Sequence, residues 1–490
     1  MTDIRGEGDR IKVPPSEELI DSAYAFELKD ANYLYDGMSY ADLAHVVVLI
    51  EEKIIDADVG KILLGGLQKL HNNMPEDFSP RFGDTYTNRE VVLKKIIGEN
   101  AGWLHVGRAR RECSTIGYIL NMREKLLIFA EEIANVAKAF LKQVKCHHDT
   151  IMPDFTYLQH AQPTNLSHYL LTFLYPVVRD FSRIKEHFGR LNQSPAGSGS
   201  VNGTKIPLDR HRLSELLGFD GLTRHTRDAM WRPDIAYELH SLLVTSFLNL
   251  NRFVEELQIW NSKEFSMVEL ADEHCRTSVI MPQKKNPYGL AYIRGLTGWL
   301  VGETSSLGAA LKGTSGQPDN RIFAYGKTPE SYDSGIKALR LLAKIIDSFT
   351  VNTDLLAKRV ENSFSFATDL AEFLMLEENI SYTKAHRAVG VIVRRAIERN
   401  ETSFKLATIH EVLKEQEIEP KISSDDLQKL LDPTLLIKER KTPGGASDIK
   451  NMTEEIEQET RLFCSWRQQK KQNIQTSFDD LEKQVNTYTK

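Results

Sequence analysis

The stretch Ser278-Val279-Ile280-Met281-Pro282-Gln283-Lys284-Lys285-Asn286-Pro287 leads into an apolar run over residues 290–311, and the reading of that junction decides the fold. Asn286 is a good helix N-cap and Pro287 a good first helical residue, so the run is predicted to begin there as a helix, its positive end toward the loop. That loop carries a hydroxyl and two ammonium groups. A serine is a poor base unless its alkoxide is stabilised, and Lys284 with helix-end N–H groups would stabilise both the alkoxide and a bound carboxylate. These residue types suit proton abstraction beside a carboxylate. On pattern alone they suit a polar surface loop that caps a helix equally well.

Outward from the loop, apolar residues recur at three- and four-residue spacing over residues 41–56, 89–104, 114–145, 167–191, 236–260 and 331–349, while strand patterns are sparse. Segment 236–260 is apolar on more than one face, as in a helix inside a bundle. Pro176 is predicted to kink its helix unless that helix starts later. Loops rich in Gly, Ser and Pro punctuate the helices at 193–207, 273–287 and 313–329, the places where function concentrates. Ser194-Pro195-Ala196-Gly197-Ser198-Gly199-Ser200 lacks the Gly-Lys-Ser/Thr ending of a phosphate loop and reads as a tight turn allowing close chain approach. Beyond Phe349 the helices shorten, Pro433 and Pro443-Gly444-Gly445 interrupt them, and the chain from Glu454 is strongly charged. A smaller terminal domain with a solvated last helix is expected there.

A chain of 490 residues exceeds one typical core and allows about three domains. With 41% hydrophobic and 27% charged residues, extended disorder is not expected. The net charge of −6, from 62 basic and 68 acidic residues, supplies no global positive field for nucleic acid or anionic membranes. A small anionic substrate would need a local basic pocket. Cys113, Cys146, Cys275 and Cys464 lie in no paired spacing, so neither a disulfide framework nor a zinc knuckle is indicated, and a reducing cytoplasm fits best. Residues 1–15 hold no apolar core of signal-peptide length and no later run is long and apolar enough to span a bilayer, so neither secretion nor membrane insertion is expected. Adjacent His147 and His148 do not share a helix face, no second ligand pair accompanies them, and a solvated helix end is favoured. No nucleotide, metal or flavin site is visible, and no cofactor is expected.

Six separated segments share one pattern: Leu104-His105-Val106-Gly107-Arg108-Ala109-Arg110, Thr156-Tyr157-Leu158-Gln159-His160-Ala161-Gln162-Pro163, Pro195-Ala196-Gly197-Ser198-Gly199, Met281-Pro282-Gln283-Lys284-Lys285-Asn286-Pro287, Ala367-Thr368-Asp369-Leu370-Ala371 and Thr442-Pro443-Gly444-Gly445. In these segments, and in their order, the chain resembles the argininosuccinate lyase family, within the superfamily that includes fumarase, aspartase and adenylosuccinate lyase. The resemblance implies an all-α, three-domain subunit: an N-terminal helical domain over 1–112, a central long-helix bundle over 113–365 and a C-terminal helical domain over 366–490. It also implies a homotetramer with each active site built from three chains, which would explain helices apolar on several faces. The implied reaction eliminates an amine from an N-substituted aspartate, a small anionic substrate derived from an amino acid, usually releasing fumarate. By the same resemblance Ser278 is the catalytic serine, and Lys284 and Asn286 hold the succinyl portion. Thr156 and Lys327 fall where the family places substrate contacts, and Arg108, Arg110, Arg111, Gln159 and Arg321 complete the expected binding set.

The departures from the family pattern are specific. Its arginine-serine-arginine-asparagine-aspartate run appears as Arg108-Ala109-Arg110-Arg111-Glu112, so Arg111 offers a carboxylate a bidentate, charged partner in place of a neutral amide. An ion pair of Arg111 with Glu112 or another acid is the competing structural role. The family's catalytic histidine is Tyr157, and the glutamate that partners it falls at Ala291. Their joint loss leaves no unpaired buried charge and reads as coherent remodelling. Tyr157 remains a candidate proton donor, although a phenol is a weaker acid than an imidazolium. His160 is a tempting substitute that reads more readily as a structural histidine. Pro318-Asp319-Asn320-Arg321-Ile322-Phe323-Ala324 lacks the tyrosine and glutamine used near the arginine part of the family substrate, which puts arginine release in doubt. Asp319 is left to meet a cationic amine, and Phe323 and Tyr325 to line the site or to pack. The favoured reading is a diverged carbon–nitrogen lyase. Ordinary argininosuccinate lyase, a catalytically silent homologue and the same chemistry run in the addition direction stay open beside it.

Overall fold

The computed structural model describes residues 10, 13–72, 74–76 and 78–490, so most of the polar segment 1–15 lies outside the described residues. The expected all-α class is what the chain adopts: helices dominate, and the strands of the described residues form two-stranded ribbons. Among the described residues, seven long helices frame the molecule: α1 (Ala31–Glu51), α2 (Arg110–Cys146), α3 (Leu166–Leu191), α4 (Asp234–Trp260), α5 (Tyr288–Leu311), α6 (Lys327–Ser348) and α7 (Ile449–Thr489). None of the described helices is long and apolar enough to cross a membrane.

Side-chain pairings fix the directions. Thr115 meets Tyr325 and Gln143 meets the Ile346 carbonyl, so α2 and α6 run parallel. Tyr169 to Glu256 and Arg190 to Glu238 set α3 against α4, and Arg294 to Gln258 with His240 to the Leu300 carbonyl sets α4 against α5. Helices α2, α4 and α6 therefore all begin at one end of the bundle, and α5 begins at the other. The helix α3 continues unbroken through buried Pro176, which excludes a later start. Close approach is made at α1 and α2, where Gly37 and Gly117 face each other and an added methyl on Gly37 would sit 2.6 Å from the Gly117 carbonyl.

One apolar core runs from Leu34 to Leu356 and is joined by Phe463, Leu481 and Val485 of α7, while a second, smaller core gathers residues from Val360 to Leu436. The solvated last helix expected from its charge is thus a bundle member with a narrow buried stripe. Segment 1–112 shares the central core: Leu34, Leu63, Leu93 and Leu104 belong to the same cluster as Phe129 and Phe253.

Two local expectations are corrected. The helix predicted over 89–104 is Thr85–Ile97 followed by a 3-10 turn, because Gly98 adopts φ +63 and ends the α-helix. Residues 151–165, read without a strand, form an antiparallel hairpin of β1 (Ile151–Thr156) and β2 (Gln159–Asn165).

Candidate active site

At the end where α2 begins, the chain assembles a cationic region. Ala109 precedes the helix without a side-chain cap, and Arg110, Arg111 and Glu112 form its first turn. Arg110 is exposed, with Asp84 at 3.5 Å. Arg111 pairs with no acid among the described residues: its Nε donates to the Met230 carbonyl at 2.8 Å, its Nη2 to Asn320 Oδ1 at 2.6 Å, and its guanidinium carbon lies 3.6 Å from the Trp231 ring centroid. Glu112 turns away from it. Its buried carboxylate accepts the amide N–H groups of Gly197 at 2.8 Å and Gly199 at 2.6 Å. Burial pushes the Glu112 carboxyl up to about 7, against the opposing pull of Arg108 and the two glycine N–H groups. Gly199 has φ +67, and a methyl there would meet the Gly203 carbonyl at 2.8 Å, which explains why the expected tight turn needs glycine.

Arg108 does not fit its expected place in the substrate set. It points inward, donating to Asp42 at 2.5 Å and to the Ala41 carbonyl at 3.3 Å, and Arg89 reaches the other Asp42 oxygen at 2.7 Å. All three side chains are buried. Burial alone would raise the Asp42 carboxyl, but Arg108 and Arg89 hold it below the usual range. Arg321 is also engaged, by Glu27 at 2.6 Å and Asp84 at 2.7 Å. Lys327 starts α6 and pairs with Glu330 at 2.7 Å. Beside them, Asp30 is pushed up to about 7 by burial and by neighbouring Glu27 and Glu330, against the pull of Lys327 and Arg321. Phe323 packs on Phe26, and buried Tyr325 stacks on Tyr118 at 4.2 Å between centroids, so both serve packing within the chain.

The serine loop occupies the other end. Arg276–Thr277 (β3) pairs with Lys285–Asn286 (β4), making residues 278–284 the tip of a ribbon. Asn286 is therefore in a strand, not at a helix cap: its amide donates across the ribbon to the Arg276 carbonyl at 3.0 Å, and α5 starts at Tyr288 with Pro287 before it. Ser278 Oγ accepts the Met281 N–H at 3.2 Å. Lys285 is tied to Glu269 and Asp272, whereas the Lys284 ammonium has no partner among the described residues. Thr156 and Gln159 face each other as the last pair of the 151–165 hairpin, and Tyr157 at its tip is 99% exposed. His160 sits edge-on to Phe155 with ring centroids 5.4 Å apart, and burial lowers its pKa. His147 meets Thr150 and His148 meets Asp149 just past the end of α2, as a helix terminus would.

The two groups are parted by the length of α5, which is 24 residues and so about 36 Å at 1.5 Å per residue. Within the chain the structure brings Arg110, Arg111, Arg321 and Lys327 together at one end, and leaves Ser278, Lys284, Asn286, Thr156, Tyr157 and Gln159 at the other. Trp231, Met230, Glu27 and Asp84, the groups that set the guanidinium positions, are remote in sequence from the arginines they hold, Met230 by 119 positions from Arg111 and Asp84 by 237 from Arg321, so no local pattern could have flagged them.

Residues 70–302 match the family profile described as lyase, and residues 364–438 match the one described as argininosuccinate lyase C-terminal. A crystal structure of EDDS lyase in complex with formate aligns with a TM-score of 0.88 at 26% identity, over 98% of this chain and 97% of that one. An EDDS lyase variant with bound fumarate aligns equally well, at 0.88 and 26%, over 97% and 96%. With the helical bundle, these likenesses define a lyase of the fumarase and aspartase superfamily. An argininosuccinate lyase of Methanosarcina mazei is 32% identical over 488 residues, 98% of each chain. The chain belongs to the argininosuccinate lyase family and is a carbon–nitrogen lyase.

Proposed function

We propose that the enzyme eliminates an amine from an N-substituted aspartate, giving fumarate or a related unsaturated acid, with Ser278 as base. The observation that carries this reading is the bonding of the Ser278 hydroxyl. Its oxygen accepts the Met281 N–H, and its own proton is given to no group among the described residues. A donor aimed at the oxygen favours the alkoxide, and unpaired Lys284 in the same tip adds positive charge. The alkoxide takes the proton from the carbon beside one carboxylate, Lys284 meets the dianion that results, and the departing nitrogen leaves protonated. Tyr157 is the proposed donor of that proton. Asn286, Thr156 and Gln159 hold the succinyl part, and Arg110, Arg111 and Lys327 the remaining anionic groups.

The separation along α5 supports a homotetramer whose sites draw on three chains, because no single subunit surrounds the serine. Fully exposed Val279, Ile280 at 83% exposure and Trp299 at 68% on the outer face of α5 are the kind of apolar surface that assembly covers. A second reading, ordinary argininosuccinate lyase, is favoured by the name of the Methanosarcina relative; Tyr157, Ala291 and Ala324 weigh against it.

The test is incubation with argininosuccinate, and separately with fumarate and a panel of amines, following absorbance of the unsaturated acid. Turnover of argininosuccinate decides for the second reading, and turnover confined to other amines for the first. Absence of any turnover decides for a silent homologue.

A further inference from the structure

Among the described residues, Arg111 is a partly buried cation clamped only by neutral groups. The Met230 carbonyl and Asn320 Oδ1 take its Nε and Nη2, so the side edge of the guanidinium is spent. The Trp231 ring covers one face at 3.6 Å. What remains is the end of the fork, where Nη1 donates to nothing among the described residues. No carboxylate among the described residues offsets the charge, and burial and nearby Arg321 lower its pKa. One more buried donor stands beside it without a partner among the described residues, the indole N–H of the same Trp231. Donors exceed acceptors here, and an uncompensated, partly desolvated guanidinium is costly unless an anion joins it.

We propose that Trp231 and Asn320 are positioning residues that hold the end of the Arg111 guanidinium ready for a carboxylate on the leaving amine, so that the substrate is an N-substituted aspartate whose amine half is itself acidic. This inference rests on the proposed elimination. The indole face fixes the plane of the guanidinium, and Asn320 and the Met230 carbonyl fix its rotation. The order is imposed before the ligand arrives, which reduces the cost of binding.

The experiment is calorimetric titration of the full-length Ser278→Ala protein, in which neither probe is consumed, with N-(carboxymethyl)aspartate and N-methylaspartate. These differ by one carboxylate on the nitrogen substituent. The parent should bind the carboxymethyl compound about 10-fold more tightly or better, the scale of one charge-assisted hydrogen bond. Adding Trp231→Ala or Asn320→Ala should remove most of that preference while leaving N-methylaspartate affinity unchanged, and Trp231→Phe should restore it. A merely structural role would weaken both probes together. Equal affinity of the parent for the two compounds, or a preference that survives Trp231→Ala and Asn320→Ala in folded protein, overturns the proposal. Should Trp231→Ala fail to fold, Asn320→Ala and Trp231→Phe carry the decision. If the parent binds neither probe nor fumarate, the elimination reading fails and this inference with it; binding of N-methylaspartate and fumarate without the preference removes this inference alone.

Discussion

Glu112 Oε2 lies 2.6 Å from the Gly199 amide nitrogen, and its other oxygen lies 2.8 Å from that of Gly197, so one buried carboxylate pins the glycine turn to the first turn of α2. With its pKa raised to about 7, the folded protein holds this proton more tightly than the unfolded chain, whose carboxyl titrates near 4.5. Between those values the native state binds more protons, and the Glu112 contribution to stability falls as pH rises. Thermal midpoints measured from pH 4.5 to 8 should show that loss in the wild type and a flatter profile in Glu112→Gln. An identical slope in both proteins would remove Glu112 as its source.

Asp42 is the counterion of two buried guanidiniums, Arg89 and Arg108. Asp42→Ala leaves both charges unpaired in the core, and a loss of about 3–5 kcal/mol is expected. Urea unfolding reads this directly. A midpoint close to wild type would show that the two arginines find other partners.

Ser278→Ala removes the proposed base from an exposed ribbon tip whose side chain supports no core. Turnover should drop at least about 100-fold with the melting temperature unchanged. Retained turnover would exclude the serine.

Because Ser278 and Lys327 sit at opposite ends of α5, a site needing both must take them from different chains. Ser278→Ala and Lys327→Ala proteins, each inactive alone, should regain activity when unfolded and refolded together, since some mixed assemblies then hold an intact pair. Recovery absent from properly assembled mixtures would argue that both residues serve a site within one subunit.

Tyr157→Phe changes one hydroxyl on a side chain that touches solvent almost everywhere. Stability should not move, while turnover should fall about 100-fold or more if the phenol delivers the proton. Full activity would pass that role to another group.

Much of the bundle was legible in the sequence because its helices carry a strong apolar period: residues 167–191 became Leu166–Leu191, and 236–260 became Asp234–Trp260. The hairpin at 151–165 was not legible, since its turn is Tyr157-Leu158 at φ 54 and 58, without the Gly, Asn or Asp that usually announces such a turn. Asn286 and Pro287 gave a good cap signal, yet pairing of Lys285–Asn286 with Arg276–Thr277 moved the helix start to Tyr288. At the candidate site, residue types on the loops could be read, but their commitments could not. Arg108 and Arg321 are held by Asp42, Glu27 and Asp84, groups remote in sequence that carry no local mark.

The final helix α7 gives Phe463, Leu481 and Val485 to the same core as α1 and α2, after the chain has detoured through the smaller core. During synthesis, then, the first helices leave the ribosome with a seam that stays open to water until the closing segment emerges. Nascent chains halted before Ile449 should be clients of chaperones, and release from them should coincide with arrival of the last helix.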